Sequence, residues 1–304
     1  MSDTPTLEAR GARIDLLGQP LLARLDVASH ADRLALLGDW SPLFRLLAGE
    51  AELAAGTLEI AGVGVPLGVE RGRVGLMRLD PLLPPSWSAE QLLTSSAELA
   101  GVPSKAAGKL AFQTLERLGL LELASRRLAH LQTAERRALL VAHATLTDPL
   151  VLCLEEPLAG LDTHAEHTLL AVIERASAGR RLLVSLADPE QSGTTRRLVQ
   201  SCSERLGLAA GVAVELPARA AQSAVNRVTA TVCNNHQAFA AALASRGLTA
   251  HATHEASLLG TLTSTLAGPC WRYLIELPSE STGPVLDAAL ETEAGLVELI
   301  PLFS

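Results

Sequence analysis

Two adjacent carboxylates, Glu155 and Glu156, close the apolar run Leu150-Val151-Leu152-Cys153-Leu154, and Pro157 follows them. A buried strand that ends in two carboxylates can do two jobs in phosphate hydrolysis. One carboxylate holds a divalent cation through its water shell, and the other polarises the attacking water. Such chemistry also needs a phosphate-binding loop with a lysine at its tip, early in the chain. The only lysines are Lys105 and Lys109. The strand–loop–helix unit around Gly38-Asp39-Trp40-Ser41-Pro42 has the geometry that such loops use. Asp39 puts a negative charge where phosphate would sit, and Pro42 removes an amide donor.

The elements that must position these residues follow from hydrophobic period and punctuation. Apolar runs at 13–17 and 21–27, divided by Gly18-Gln19-Pro20, predict a hairpin-like pair of strands. A strand at 33–37 leads through Gly38 to a short helix, with Ser41 as N-cap, Pro42 at the first helical position and Gly49 at its end. Strands are expected at 56–60 and 72–77, helical segments from 88 to about 131, and a helix at 135–146. A strand at 150–154, a helix at 164–178 and a strand at 181–186 follow. Alternating strands and helices predict an α/β fold with a parallel sheet.

The pattern breaks at 217–223, which predicts a linker, and new elements begin near Ala224. Strand 225–233, helix 236–245, strands 248–254 and 271–277, helix 283–293 and strand 296–302 give the order βαββαβ, a ferredoxin-like α+β arrangement. Residues 256–266 are expected to add helix to the middle connection. The organisation read from the sequence is therefore one domain over 1–217, with a helical subdomain at about 86–131, and a second over 218–304.

A chain of 304 residues with a net charge of −8 has room for two cores and lacks the basic stripe of a nucleic-acid binder. Cys153, Cys202, Cys233 and Cys270 lie far apart without a CxxC pair, which predicts neither a zinc ribbon nor a disulfide framework and makes a reducing cytoplasm the default. Residues 1–10 are polar, without the apolar core of a signal peptide, and no apolar run approaches the roughly 20 residues of a membrane span. The pairs His164/His167 and His251/His254 have metal-ligand spacing but no third ligand, and read as surface histidines. Cys153 reads as a small buried hydrophobe rather than a thiol nucleophile activated by His143.

The block Asp148-Pro149-Leu150-Val151-Leu152-Cys153-Leu154-Glu155-Glu156-Pro157-Leu158-Ala159-Gly160-Leu161-Asp162 resembles the Walker B strand and D-loop of ABC transporter nucleotide-binding domains. The resemblance covers roughly residues 7–216 and implies a P-loop NTPase fold with a mixed sheet and a helical subdomain. It makes Glu156 the counterpart of the catalytic glutamate, with Glu155 in place of the usual aspartate. It leaves Gly38, Ser41, Glu155 and Asp162 as a vestigial nucleotide site, Ser41 serving as N-cap rather than as a magnesium-site hydroxyl. Leu131-Gln132-Thr133-Ala134-Glu135 stands for the signature motif, Leu79 for the glutamine of the Q-loop and Ala187 for the switch histidine.

The family's cofactor is Mg-ATP, yet the losses fall on every part of its site, so no cofactor and no metal are expected. The resemblance implies a non-catalytic subunit of an ABC transporter, similar to those of ABC-2 type and gliding-motility-type systems. Its implied partners are an active ATPase subunit, a permease or both, in a hetero-oligomer at the inner face of the cytoplasmic membrane. Residues 82–87 mark the surface expected to meet the permease. An active ATPase with an unusual loop and a scaffold outside transport are the alternatives.

Overall fold

The computed structural model describes residues 4–65, 67–188, 192–209, 212–216, 226–256, 270–277 and 282–301. The chain divides into two compact units, one comprising Met1–Leu206 with Ala213–Glu215 and the other Gly207–Val212 with Leu216–Ser304.

In the first unit, β1 (Leu7–Leu16) and β2 (Gln19–Ser29) form an antiparallel hairpin. Its turn residues Leu17 and Gly18 have φ of +50° and +76°, the signs a type I′ turn requires. Next come β3 (Arg33–Gly38), α1 (Ser41–Leu47), β4 (Glu52–Ile60), β5 (Val63–Gly64), α2 (Leu67–Glu70) and β6 (Val74–Met77). The helices α3 (Ala89–Leu99), α4 (Ser104–Leu118) and α5 (Thr133–Ala144) lead to β7 (Val151–Glu155). The unit continues through α6 (Thr163–Ser177), β8 (Arg181–Leu186) and α7 (Gly193–Gln200), and the division between the units falls within the strands that follow, β9 (Glu204–Ala209) and β10 (Val212–Glu215).

Two sheets result, one ordered β2-β1-β4-β5 and the other β10-β9-β3-β8-β7-β6. Within the second, β3, β8, β7 and β6 pair in parallel. All five residues of β7 are buried, as expected for an inner strand whose two neighbours and two faces are covered. Gly75 is required where α5 ends on β6, because a Cβ there would lie 2.1 Å from the Ala144 carbonyl oxygen. The helical stretch expected at 88–131 is α3, α4 and two short 3₁₀ turns. A Ser88–Gln91 capping box starts α3, and Gly119 at φ +69° ends α4.

Helix α1 begins one residue away from expectation. Trp40 occupies the cap position without a side-chain cap bond, and Ser41 is the first helical residue. Ser41 is therefore not the N-cap.

The second unit contains β11 (Asn226–Cys233), α8 (His236–Ser245), β12 (Thr249–Ala256), β13 (Cys270–Leu277), α9 (Gly283–Glu291) and β14 (Gly295–Pro301). The order is βαββαβ, and the sheet runs β12-β13-β11-β14 with every pair antiparallel. Val228, Phe239, Leu243, Ile275 and Val285 form its core. The expected linker at 217–223 lies outside the described residues, as does the expected helix beyond Ala256. The cysteine reading is corrected here: Cys233 is disulfide-bonded and stands opposite Cys270 in the β11–β13 register. Antiparallel pairing brings together positions whose separation in sequence had argued against a bridge.

Candidate functional site

The parallel strands β3, β7 and β8 end together, and the predicted chemistry gathers there. Leu37 pairs with Leu186 across β3 and β8, and Glu155 pairs with Ser185 across β7 and β8. The next residue, Glu156, turns into φ +44°, a strained conformation for a non-glycine residue. Its N–H donates to the Ser185 carbonyl and hydroxyl, both at 3.2 Å.

Burial raises the Glu156 pKa above the usual carboxylate range, and the negative charges of Glu155 and Asp39 push it the same way. The Ala187 amide and Arg137 partly offset them. Glu155, Glu156, Asp39 and Ala187 are thus brought into one neighbourhood. Leu131–Glu135 and Asp162 are engaged in capping instead. The Gln132 N–H donates to Glu135 at 2.9 Å, and Glu135 also pairs with Arg126. These two partners hold the Glu135 carboxyl below its usual pKa although burial opposes them. Asp162 caps α6, accepting from the Ala165 N–H at 2.9 Å.

The turn from β3 to α1 decides whether phosphate can be held. A phosphate loop works because several backbone N–H groups point at the anion. Here the Trp40 N–H donates to the Gly38 carbonyl at 3.1 Å, and the Ser41 N–H donates to the Asp39 carboxylate at 3.0 Å. Pro42 has no N–H. The Leu43 and Phe44 N–H groups donate to the Trp40 carbonyl at 3.0 and 3.4 Å. The Ser41 hydroxyl also donates to Asp39, at 2.7 Å. Trp40 itself is 1% exposed and donates its indole N–H to the Leu37 carbonyl at 3.2 Å. The turn is closed by its own side chains, and Gly38 at φ +95° only lets the chain leave the strand.

The cation side is equally committed. Glu155 is 6% exposed and accepts through one oxygen from Arg78 Nε at 2.6 Å and from the Leu79 N–H at 2.9 Å. Arg137, 3% exposed on α5, donates to the carbonyls of Pro157 and Ala159 and pairs with Asp80. With no lysine in the β3–α1 turn, with the Trp40, Ser41, Leu43 and Phe44 N–H groups engaged inside it, and with Glu155 paired to Arg78, the residues present do not fit the magnesium–nucleotide group of this fold. The parts that Trp40, Arg78 and Arg137 play here were not read from the sequence. The only signal was an arginine beside the position expected to hold glutamine.

The other candidates separate cleanly. Cys153 is fully buried in β7 and its thiol pKa is pushed up by burial. His164 and His167 are exposed on α6, and among the described residues no three metal-ligating side chains converge.

The parallel sheet, the carboxylate pair at the end of β7 and the helical segment inserted after β6 define the class, a P-loop NTPase fold of the ABC type. A solved ATP-binding subunit of an ABC transporter superposes on 69% of this chain and 89% of its own, with a TM-score of 0.56 at 22% identity. No protein-family model matches the chain. Among curated proteins, the Nod factor export ATP-binding protein I of Burkholderia orbicola is 31% identical over 144 residues, 46% of this chain and 47% of that protein. An uncharacterized ABC transporter ATP-binding protein, YlmA of Bacillus subtilis, is 38% identical over 109 residues, 34% of this chain and 41% of that one. The phosphonates import ATP-binding protein PhnC of Hyphomonas neptunium is 25% identical over 219 residues, 60% of this chain and 80% of that one. The chain is thus similar to ABC transporter ATP-binding proteins in sequence, over a third to three fifths of its length, and in fold. It spans about half the length of the first curated relatives it matches.

Proposed function

We propose that this chain is a nucleotide-free, non-catalytic subunit of an ABC transporter complex. The observation that carries the reading is the β3–α1 turn, where the Trp40, Ser41, Leu43 and Phe44 N–H groups donate within the turn around a buried Trp40 and Pro42 has none to give. Removing a single transition-state donor costs an enzyme about 10²–10³ in rate. Here the donors, the lysine and the cation site are lost together.

On this reading the chain works through partners, an active ATPase subunit, a permease or both, in a hetero-oligomer at the inner face of the cytoplasmic membrane. Family members exchange loop and signature motif head to tail around ATP, and a chain lacking both halves has nothing to offer a second copy of itself. The groove beside β6, about 560 Å³ and lined by Leu47, Leu76, Leu83, Leu92, Leu99 and Leu140, supports a docking surface for an apolar segment of a membrane subunit. In the segment that supplies Pro81 and Leu83 to the groove, Leu82 is fully exposed, and a few residues on Trp87 is 37% exposed. No helix among the described residues is long and apolar enough to cross a membrane, so attachment by way of a partner fits. The second unit is read as a ferredoxin-like accessory domain of the kind found in ABC-2 type and gliding-motility-type systems.

The test is phosphate release from Mg-ATP by the purified chain and by its Glu156→Gln variant. The proposal expects both at background. Hydrolysis that Glu156→Gln abolishes would overturn it in favour of an active ATPase with an unusual loop.

A further inference from the structure

Three consecutive residues after β6 are gripped from two sides. Arg78 reaches Glu155 through Nε at 2.6 Å and forms a second ion pair through Nη1 with Glu50, 2.9 Å away on the loop after α1. Leu79 donates its N–H to the same Glu155 oxygen at 2.9 Å. Asp80, at φ +43°, pairs with Arg137 Nη2 at 3.3 Å. Arg137 is anchored in turn on the Pro157 carbonyl, 3.2 Å away, and on that of Ala159, in the segment that follows β7.

We propose that Arg78 is a built-in cation that neutralises Glu155 in place of a divalent ion, and that Arg78 and Arg137 together latch the β6–α3 loop against the end of β7 without any ligand. The proposal rests on the nucleotide-free reading and deepens it. A carboxylate as buried as Glu155 must be paired or protonated. Arginine suits the task because its planar fork serves two carboxylates at once and its charge persists at any physiological pH.

The arrangement has a consequence for binding. Residues 82–87, which carry the exposed Leu82 and Trp87, begin within four positions of Arg78. A latched loop presents them in one position whether or not nucleotide is present, so the docking groove is preformed and does not answer to ATP. Glu50, at 53% side-chain exposure, is the accessible end of the latch and the gentlest place to weaken it.

Hydrogen–deuterium exchange of the full chain tests this. In Arg78→Met, amides of residues 78–88 are expected to exchange at least about tenfold faster, with β7 and β8 keeping their protection. Glu50→Gln should give a smaller increase in the same segment. Arg78→Lys, which keeps the charge without the fork, should fall between wild type and Arg78→Met, and it replaces Arg78→Met in the comparison if that variant does not fold. Wild-type exchange across 78–88 in these variants would overturn the latch, as would a wild-type loop that gains protection on adding Mg²⁺ alone or Mg-ATP. Calorimetric binding of Mg-ATP with loop exchange unchanged would support the latch and sink the nucleotide-free reading.

Discussion

Replacing Trp40 by alanine probes whether the shortened turn is a sealed part of the core. Trp40 is 1% exposed, so truncation removes a whole buried indole, and large aromatic-to-alanine changes in cores cost about 3–5 kcal/mol. The Leu37 carbonyl, which accepts the indole N–H at 3.2 Å, loses its partner in the same step, a contribution of about 1 kcal/mol already near the spread of that figure. For a unit of this size each kcal/mol moves Tm by about 2–4 °C, so a fall of roughly 6–20 °C is expected. Trp40→Phe separates the two contributions. It keeps most of the apolar volume, loses the N–H, and should cost about 1–2 kcal/mol. Urea unfolding followed by far-ultraviolet circular dichroism measures both variants, with an unchanged m-value confirming that stability alone has moved. A loss below about 1 kcal/mol in Trp40→Ala would refute the reasoning, because it would place the indole outside the core and leave the turn open.

Other expectations follow from the same geometry. Glu156 has a raised pKa, so the native state binds its proton more tightly than the unfolded chain and stability falls as pH rises through the interval between the two values. Glu156→Gln should therefore be the more stable protein at neutral pH, with the advantage vanishing below the unfolded carboxylate range; urea midpoints against pH would show it, and a less stable variant at neutral pH would contradict it. Leu82→Asp should lower co-purification with a permease partner at least about tenfold while stability stays within about 0.5 kcal/mol of wild type, and Trp87→Ala should do the same at a stability cost of about 1–3 kcal/mol, since the indole is 37% exposed. Equal loss of stability and of binding would assign Trp87 to the core instead. Among the described residues Cys153 and Cys202 are free thiols while Cys233 is bridged, so the unfolded, unreduced chain of four cysteines should titrate two thiols, and four would contradict the bridge.

The parts of the fold that were legible in the sequence are those whose signal is local. The apolar run of β7 could be read because a strand buried on both faces needs no polar alternation, and Arg181–Leu186 carries the same mark. The first hairpin was read too short. Its strands reach Leu7 and Ser29, but register shifts around Gly11, at φ +55°, break the alternation that would have revealed their length. Of the site, the carboxylate pair and the lack of a lysine before Lys105 were visible as residue types in order. The latch was not, because Arg78 and Glu155 are 77 positions apart and only the pairing of β6 with β7 brings them together. Trp40 was legible only as an aromatic residue, since nothing local tells a buried indole that seals a turn from one that faces a ligand. The Cys233 bridge depends in the same way on the pairing of β11 with β13.

The central claim is that this ABC-type domain holds no nucleotide, and the most direct measurement is calorimetric titration of Mg-ATP into the purified full chain, with an intact family member as positive control. The account predicts no binding heat at concentrations able to reveal millimolar affinity. Saturable binding, above all binding lost on replacing Ser41 or Glu156, would contradict it.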